Sequence, residues 1–218
     1  MKATLSERWY QFCVFMLKQF YVNLLWVLFT LLGLIIFGIG SATVSMLAVQ
    51  RQWIRGNKEV KVFSTFIRSF KENFKEATVL GIGYLFIGIV LATNIIGIPN
   101  FFARTFFIVI AFFYLISLSY IGPVMVHFDL QGIRPKIKAS LILGFSYLQY
   151  TLVMFVALAI VCFIVLLHYG LLTFFGAAVG GYVVMRFANT VFVRAENQIV
   201  ANEDVGMKFS SESLTYEN

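Results

Sequence analysis

The chain has 218 residues, of which 60% are hydrophobic and 12% are charged, and its formal net charge is +7. A chain of this length cannot bury so much apolar surface in a water-soluble fold, so the composition indicates an integral membrane protein. Its lysines and arginines lie in short segments between apolar runs, which argues against nucleic-acid binding. Cys13 and Cys162 are too few and too far apart for a disulfide framework or a zinc site.

The first segment, residues 1–18, combines charged residues with apolar residues at helical spacing. These apolar residues are Leu5, Trp9, Phe12 and Met16. The pattern predicts a short helix lying at the membrane interface.

A charge-free run of 32 residues follows from Gln19 to Gln50, although about 20 residues suffice to cross a membrane. Glycines interrupt this run, and Ser41 can cap a new helix. The sequence therefore predicts a first span at residues 19–37 and a second helix at residues 41–55. The second helix either continues the crossing or turns back as a re-entrant arm.

Several residues of this region form a recognisable pattern: Asn23, Trp26, Gly33, Gly38, Gly40, Trp53 and Gly56. The pattern resembles the amino-terminal signature of the YesL family, bacterial membrane proteins classed as a domain of unknown function. Relatives commonly carry proline where this chain has Ser41, so the predicted break depends on glycine and capping chemistry. Members tend to be encoded beside ABC-type importers and glycosidases for plant-derived oligosaccharides. The resemblance therefore implies an accessory subunit or assembly factor of a sugar importer.

Residues 58–76 have the pattern of a basic amphipathic helix, with phenylalanines on one side and charged residues on the other. Together with the preceding arginines, this helix is expected to form a surface for anionic lipid or for ABC permease subunits. The predicted surface consists of Arg51, Arg55, Lys58, Lys61, Phe63, Phe66, Phe70, Lys71, Phe74 and Lys75.

Four further apolar runs predict spans at residues 77–98, 105–126, 141–167 and 171–192, with Gly122 and Pro123 kinking or ending the third span. Small residues suited to close helix packing are Gly81, Gly88, Gly176 and Gly180. The fold class is thus an all-α membrane protein, a polytopic bundle of about five transmembrane helices with interfacial or re-entrant helices. Residues 1–194 form one domain, and residues 195–218 are predicted to be a disordered polar tail.

The distribution of lysine and arginine predicts the orientation in a bacterial plasma membrane. If the first run turns back at residues 38–41, every lysine and arginine except Arg104 lies on the cytoplasmic side. Five simple crossings give a weaker bias. Charge therefore favours cytoplasmic positions for both termini.

Ionisable residues lie in predicted loops, at the termini or near span ends, and no catalytic or nucleotide-binding motif occurs. We therefore expect no enzyme activity, cofactor or metal, and an interfacial position for His127. The alternative function is an oligomeric transporter or channel for a neutral solute. Its path would be lined by Asn23, Tyr84, Asn94, Tyr114, Ser117 and Gln149.

Overall fold

The computed structural model describes residues 5–57, 59–167 and 169–216, with the side chains of residues 6–57, 59–167 and 175–198. These ranges contain seven helices and no strand. The helices are α1 (Leu5–Leu32), α2 (Gly38–Ile54), α3 (Val62–Gly97), α4 (Phe101–His127), α5 (Ile133–Ser146), α6 (Leu148–Leu167) and α7 (Tyr169–Tyr216).

Within the described part of the chain, five helical segments are long and apolar enough to cross a membrane. They are Ser6–Leu32, Val62–Gly97, Phe101–His127, Leu148–Leu167 and Phe175–Gln198. The remaining helices, α2 and α5, are shorter. The predicted fold class, an all-α bundle of about five membrane helices, is confirmed.

α1 is one continuous helix, so the structure does not separate an interfacial helix at residues 1–18 from the first span. No glycine or proline lies between Leu5 and Leu32, and nothing therefore interrupts the backbone hydrogen bonds near Lys18. The charged first turns and the apolar remainder thus belong to the same helix.

The connection between α1 and α2 is a tight turn. Leu34 and Ile35 have φ angles of 55° and 60°, a left-handed conformation that costs about 1–2 kcal/mol per residue. The flanking glycines, Gly33 and Gly38, allow the backbones of α1 and α2 to approach closely. A Cβ on Gly38 would lie only 2.7 Å from the carbonyl oxygen of Thr30. Sequence reasoning located the break at the glycines, but it gave no indication that Leu34 and Ile35 would be left-handed.

Ser41 does not cap α2 as predicted. The helix begins at Gly38, after Phe37, and Ser41 Oγ donates a hydrogen bond to the Gly38 carbonyl oxygen at 3.2 Å inside the first turn. Trp26 Nε1 on α1 donates to Thr43 Oγ1 on α2 at 3.0 Å. α2 therefore packs back along α1 after the turn.

α2 occupies the centre of the bundle and contacts α1, α3, α4 and α7. Its buried residues are Gly38, Ser41, Ala42, Val44, Ser45, Met46, Leu47, Val49 and Gln50. Because neighbouring helices surround it, α2 can carry hydroxyl and amide side chains without exposing them to lipid.

The predicted amphipathic helix and second span form one helix, α3, instead of two. No glycine or proline occurs between Val62 and Leu80, so the helix continues from the polar segment into the apolar one. α4 follows after Asn100, whose Oδ1 accepts a hydrogen bond from the backbone N–H of Phe102 at 3.0 Å. α4 also continues past Pro123 to His127 instead of ending at the proline.

The distal parts of α3 and α4, residues 85–113, form a segment that we call the outer hairpin. Leu91 is the only side chain between Leu85 and Phe113 that is buried. Exposed side chains here include Ile96 (81% exposed) and Phe102 (82% exposed). The outer hairpin therefore makes few packing contacts with the rest of the described bundle.

The predicted span at residues 141–167 is interrupted at Tyr147, where α5 ends and α6 begins. α7 continues to Tyr216 and includes the segment that was predicted to be a disordered tail. No proline follows Pro135, so the sequence contains no strong stop for this helix. His168, which follows α6 and precedes α7 in the sequence, lies outside the described residues.

Candidate functional site

An amide cluster holds α1, α2 and α7 together at the centre of the bundle. Gln50 Nε2 donates to Gln19 Oε1 at 3.2 Å and to the Ala178 carbonyl oxygen at 2.7 Å. The Ala178 N–H in turn donates to Asn23 Oδ1 at 3.1 Å. All four residues are buried. Asn23 therefore makes an interhelical contact.

A second polar cluster joins α3, α4 and α5. Tyr84 and Ser117 hydroxyl groups are 2.5 Å apart, and Ser117 lies 3.0 Å from Ser140 Oγ. Tyr114 donates its hydroxyl hydrogen to the Tyr84 carbonyl oxygen at 2.9 Å. These groups satisfy one another inside the bundle.

The six side chains of the predicted transport path do not converge. Tyr84, Tyr114 and Ser117 meet in the cluster just described, whereas Asn23 belongs to the amide cluster. Asn94 donates a hydrogen bond to Val90 within α3, and Gln149 is exposed. The described side chains do not form one polar path.

A polar cavity of about 600 Å³ lies where the end of α2, the first half of α3, the end of α4 and the start of α5 meet. Its volume falls within the range of small-molecule sites. The lining includes hydroxyl, amide, guanidinium, ammonium and carboxylate groups. Its charged residues are Arg51, Arg68, Glu72, Glu76, His127, Asp129 and Lys136.

Arg51 and His127 form the wall between α2 and α4. Arg51 Nη1 donates to the Val126 carbonyl oxygen at 2.9 Å. His127 Nδ1 lies 3.5 Å from Arg55 Nη2, and its Nε2 lies 2.8 Å from Glu196 Oε1 on α7. The side chain of His127 is 2% exposed, so neighbouring groups of the chain enclose it.

Lys136 and Glu76 form an ion pair across the opposite wall, between α5 and α3. Lys136 is buried, with 7% of its side chain exposed, whereas 39% of the Glu76 side chain is exposed. A buried ammonium group requires an anionic partner because its desolvation is costly. This pair therefore fixes the position of α5 against α3.

A separate apolar cavity of about 470 Å³ lies between α2, α3, α4 and α7. Trp26, Leu47, Leu80 and Tyr114 contribute to its walls. Met125 lines both this cavity and the polar cavity, so the two adjoin at that residue.

The predicted surface of arginines, lysines and phenylalanines does not remain a single surface. Phe66 is fully buried, with ring centroids 5.2 Å from Phe29, and Phe70 packs 5.0 Å from the same ring. Both rings face the chain's own core instead of lipid or a partner. The exposed members are Arg55, Lys61, Phe63, Lys71, Phe74 and Lys75, whereas Arg51 is half-buried and Lys58 lies outside the described residues.

Most residues of the family pattern serve the α1–α2 hairpin. Asn23 and Trp26 bind α7 and α2 respectively, and the ring of Trp53 lies 5.6 Å from Lys18 Nζ. Gly56 has a φ angle of 92° beyond the end of α2, where a side chain would be strained.

The predicted packing glycines differ in their roles. A Cβ on Gly81 would lie 3.2 Å from Gly40 Cα, and a Cβ on Gly88 would lie 2.7 Å from the Tyr114 hydroxyl oxygen. A Cβ on Gly180 would have no described atom within 4 Å, so Gly180 is not at a close helix contact. The adjacent Gly181 packs against Met46 instead, while Gly176 is half-buried.

Sequence reasoning missed Glu76, His127 and Lys136 as members of one site. Each lies near the end of an apolar run, where a charge is expected for orientation alone. Lys136 and Glu76 are 60 residues apart, and their pairing depends on how α5 packs. The one available signal is that all three residues flank apolar runs predicted to end on the same side of the membrane.

The comparisons with known proteins identify a family. A profile described as "Protein of unknown function, DUF624" matches residues 19–95. Three relatives come from Bacillus subtilis (strain 168). The uncharacterized protein YteU is 36% identical over 195 residues, covering 87% of both chains. The uncharacterized protein YesV is 30% identical, and the match covers 91% of this chain and 98% of YesV. The uncharacterized protein YesL is also 30% identical, and the match covers 83% of this chain and 88% of YesL.

No solved structure shows a significant match. The resemblance to YesL is thus confirmed, and the chain belongs to the DUF624 family.

Proposed function

We propose that this protein is a non-enzymatic accessory subunit or assembly factor of an ABC-type oligosaccharide importer in the bacterial plasma membrane. The observation that carries the proposal is the outer hairpin, because Leu91 is the only buried side chain among residues 85–113. Such a surface can pack against the transmembrane helices of a permease subunit through van der Waals contacts. The rest of the chain forms a bundle that holds this hairpin in place.

The polar interior favours this proposal over the alternative of an oligomeric transporter for a neutral solute. In the described bundle, the amide cluster and the Tyr84–Ser117–Ser140 cluster form hydrogen bonds across helix interfaces, and only Gln19 Nε2 and Gln50 Oε1 of these two clusters are buried without a partner. A transport path needs polar groups that are available to a moving solute. Transport by this chain alone would therefore require these contacts to open.

Affinity purification of the full chain from detergent-solubilised membranes, followed by mass spectrometry, tests the proposal. We expect ABC permease subunits to co-purify with the wild-type chain. A triple variant of the outer hairpin, Phe101→Ala, Phe102→Ala and Phe106→Ala, should lose most of this co-purification, because its substituted rings are 63–82% exposed.

The matched control removes three exposed apolar side chains from α6 by the substitutions Ile160→Ala, Phe163→Ala and Ile164→Ala. This variant should retain the permease subunits at the wild-type level. Equal loss in both variants would contradict a specific role of the outer hairpin. A homo-oligomer that lacks permeases and moves sugar into liposomes would overturn the proposed function.

A reporter fused before Met1 tests the proposed orientation. We expect a cytoplasmic signal; the return of α2 along α1 supports one shared side of the membrane for the start of α1 and the positively charged segment after α2. A reporter fused after Asn218 should give the same signal. An extracellular signal from the first fusion would contradict this orientation.

A further inference from the structure

The polar cavity is lined by equal numbers of formally positive and negative side chains when His127 is neutral. The positive residues are Arg51, Arg68 and Lys136, and the negative residues are Glu72, Glu76 and Asp129. Because these formal charges cancel, the cavity as a whole does not attract a polyanion. It suits a ligand that carries both a positive and a negative group.

Arg51 offers a binding group for the negative part. Its guanidinium group lines the cavity, and its Nη1 is held by the Val126 carbonyl oxygen. A guanidinium group pairs well with phosphate oxygens. Arg51 therefore favours a phosphate group in the cavity.

Two carboxylates are available for the positive part. Asp129 is exposed at the cavity. Glu72 is 65% exposed in its side chain and reaches Arg68 only at 4.0 Å. Glu76, in contrast, is engaged by Lys136. An ammonium group with N–H donors can thus bind Glu72 and Asp129 without displacing the buried ion pair.

The neighbouring apolar cavity adds a place for a hydrocarbon chain. Met125 lines both cavities, and the consecutive residues Leu47 and Ala48 of α2 line the apolar and the polar cavity respectively. The apolar cavity lies among helices long and apolar enough to span a membrane. A ligand with a charged head and an apolar tail therefore matches the pair of cavities.

We propose that the two cavities form a binding site for a zwitterionic phospholipid with a primary ammonium group, the chemistry of phosphatidylethanolamine. The phosphate binds Arg51, the ammonium group binds Glu72 and Asp129, and one acyl chain lies in the apolar cavity. Soluble glycerophosphoethanolamine has the same headgroup chemistry without the chains. This inference does not depend on the proposed role beside an importer.

The test equilibrates the full purified chain in mixed micelles with equal amounts of phosphatidylethanolamine, phosphatidylcholine and phosphatidylglycerol. Lipid retained after washing is then quantified by mass spectrometry. We expect phosphatidylethanolamine to be enriched about tenfold, since charge-assisted hydrogen bonds of the ammonium group are absent from the other two lipids. Retention of the three lipids in equal amounts would overturn the proposal.

Two variants assign the contacts. Arg51→Gln should lower the retention of all three lipids, because each of them carries a phosphate, and the double variant Glu72→Gln and Asp129→Asn should lower phosphatidylethanolamine to the level of phosphatidylcholine. The double variant changes exposed side chains and should remain folded, which circular dichroism and size-exclusion chromatography would verify. A matched control removes two exposed carboxylates outside both cavities, through Glu7→Gln and Glu59→Gln, and should keep the enrichment. Undiminished enrichment in the double variant would overturn the proposed ammonium site.

A competition experiment distinguishes the lipid from a free zwitterion. An excess of glycerophosphoethanolamine should fail to displace the bound phospholipid, because it lacks the acyl chain that occupies the apolar cavity. Displacement at concentrations comparable to those of the lipid would assign the site to a free zwitterion and overturn the lipid proposal.

Discussion

Gly40→Ala is expected to destabilise the protein by about 2 kcal/mol, because an added methyl group at a close-packed contact cannot be accommodated without moving the backbone. A Cβ on Gly40 would overlap with the carbonyl oxygen of Ala77 and would lie 3.4 Å from Gly81 Cα. Both neighbours are backbone atoms of α3, so neither can rotate away. Fractional unfolding in mixed micelles of increasing SDS content measures the effect.

Two glycines of α3, Gly81 and Gly83, provide a graded control. Gly81→Ala should have a smaller effect than Gly40→Ala, because its Cβ would lie 3.2 Å from Gly40 Cα and requires only a slight adjustment. A Cβ on Gly83 would meet no described atom within 4 Å. Gly83→Ala should therefore stabilise the helix by up to about 1 kcal/mol through helix propensity alone. The same loss of stability in all three variants would contradict the close approach of α2 and α3 at Gly40.

The composition and the apolar runs were sufficient to predict the fold class, because membrane-spanning helices must be long and apolar whatever their neighbours are. The glycine-rich break in the first run was also predictable. Its conformation was not, since the left-handed residues are Leu34 and Ile35. Hydropathy likewise gave no sign that α2 is the central helix.

The partner of an apolar helix face is difficult to predict from sequence. The spacing of the phenylalanines in α3 is the same whether the rings meet lipid, another protein or the chain itself. In the structure, Phe29 of α1 covers Phe66 and Phe70. A contact between residues more than 30 positions apart depends on the turn after α1, so the amphipathic pattern alone does not reveal it.

The charge pairs of the polar cavity were equally difficult to predict from sequence. Its charged residues come from four helices and a connecting segment, and their separate positions in the sequence resemble ordinary flanking charges. Lys136 of α5 reaches Glu76 of α3 only because both helices pack against α4. The sequence predicted that the charges would gather at one end of the bundle, but not which of them would form pairs.

Glu76→Gln is expected to destabilise the protein by about 3 kcal/mol, because it removes the charge that compensates the buried ammonium group of Lys136. The 39% exposure of the Glu76 side chain places the expected value at the lower end of the range for broken buried pairs. Unfolding in SDS-containing mixed micelles at neutral pH measures the change, with the intrinsic fluorescence of the tryptophans as the signal.

The matched control is Glu72→Gln, one helical turn earlier on α3, where the pair with Arg68 has side chains 65% and 69% exposed. Its effect should be within about 0.5 kcal/mol, because exposed ion pairs contribute little. Adding Lys136→Met to Glu76→Gln should restore most of the lost stability, since an uncharged side chain of similar length needs no anionic partner in the buried site. A double variant that is as unstable as Glu76→Gln alone would show that the loss arises from Glu76 contacts other than the pair with Lys136.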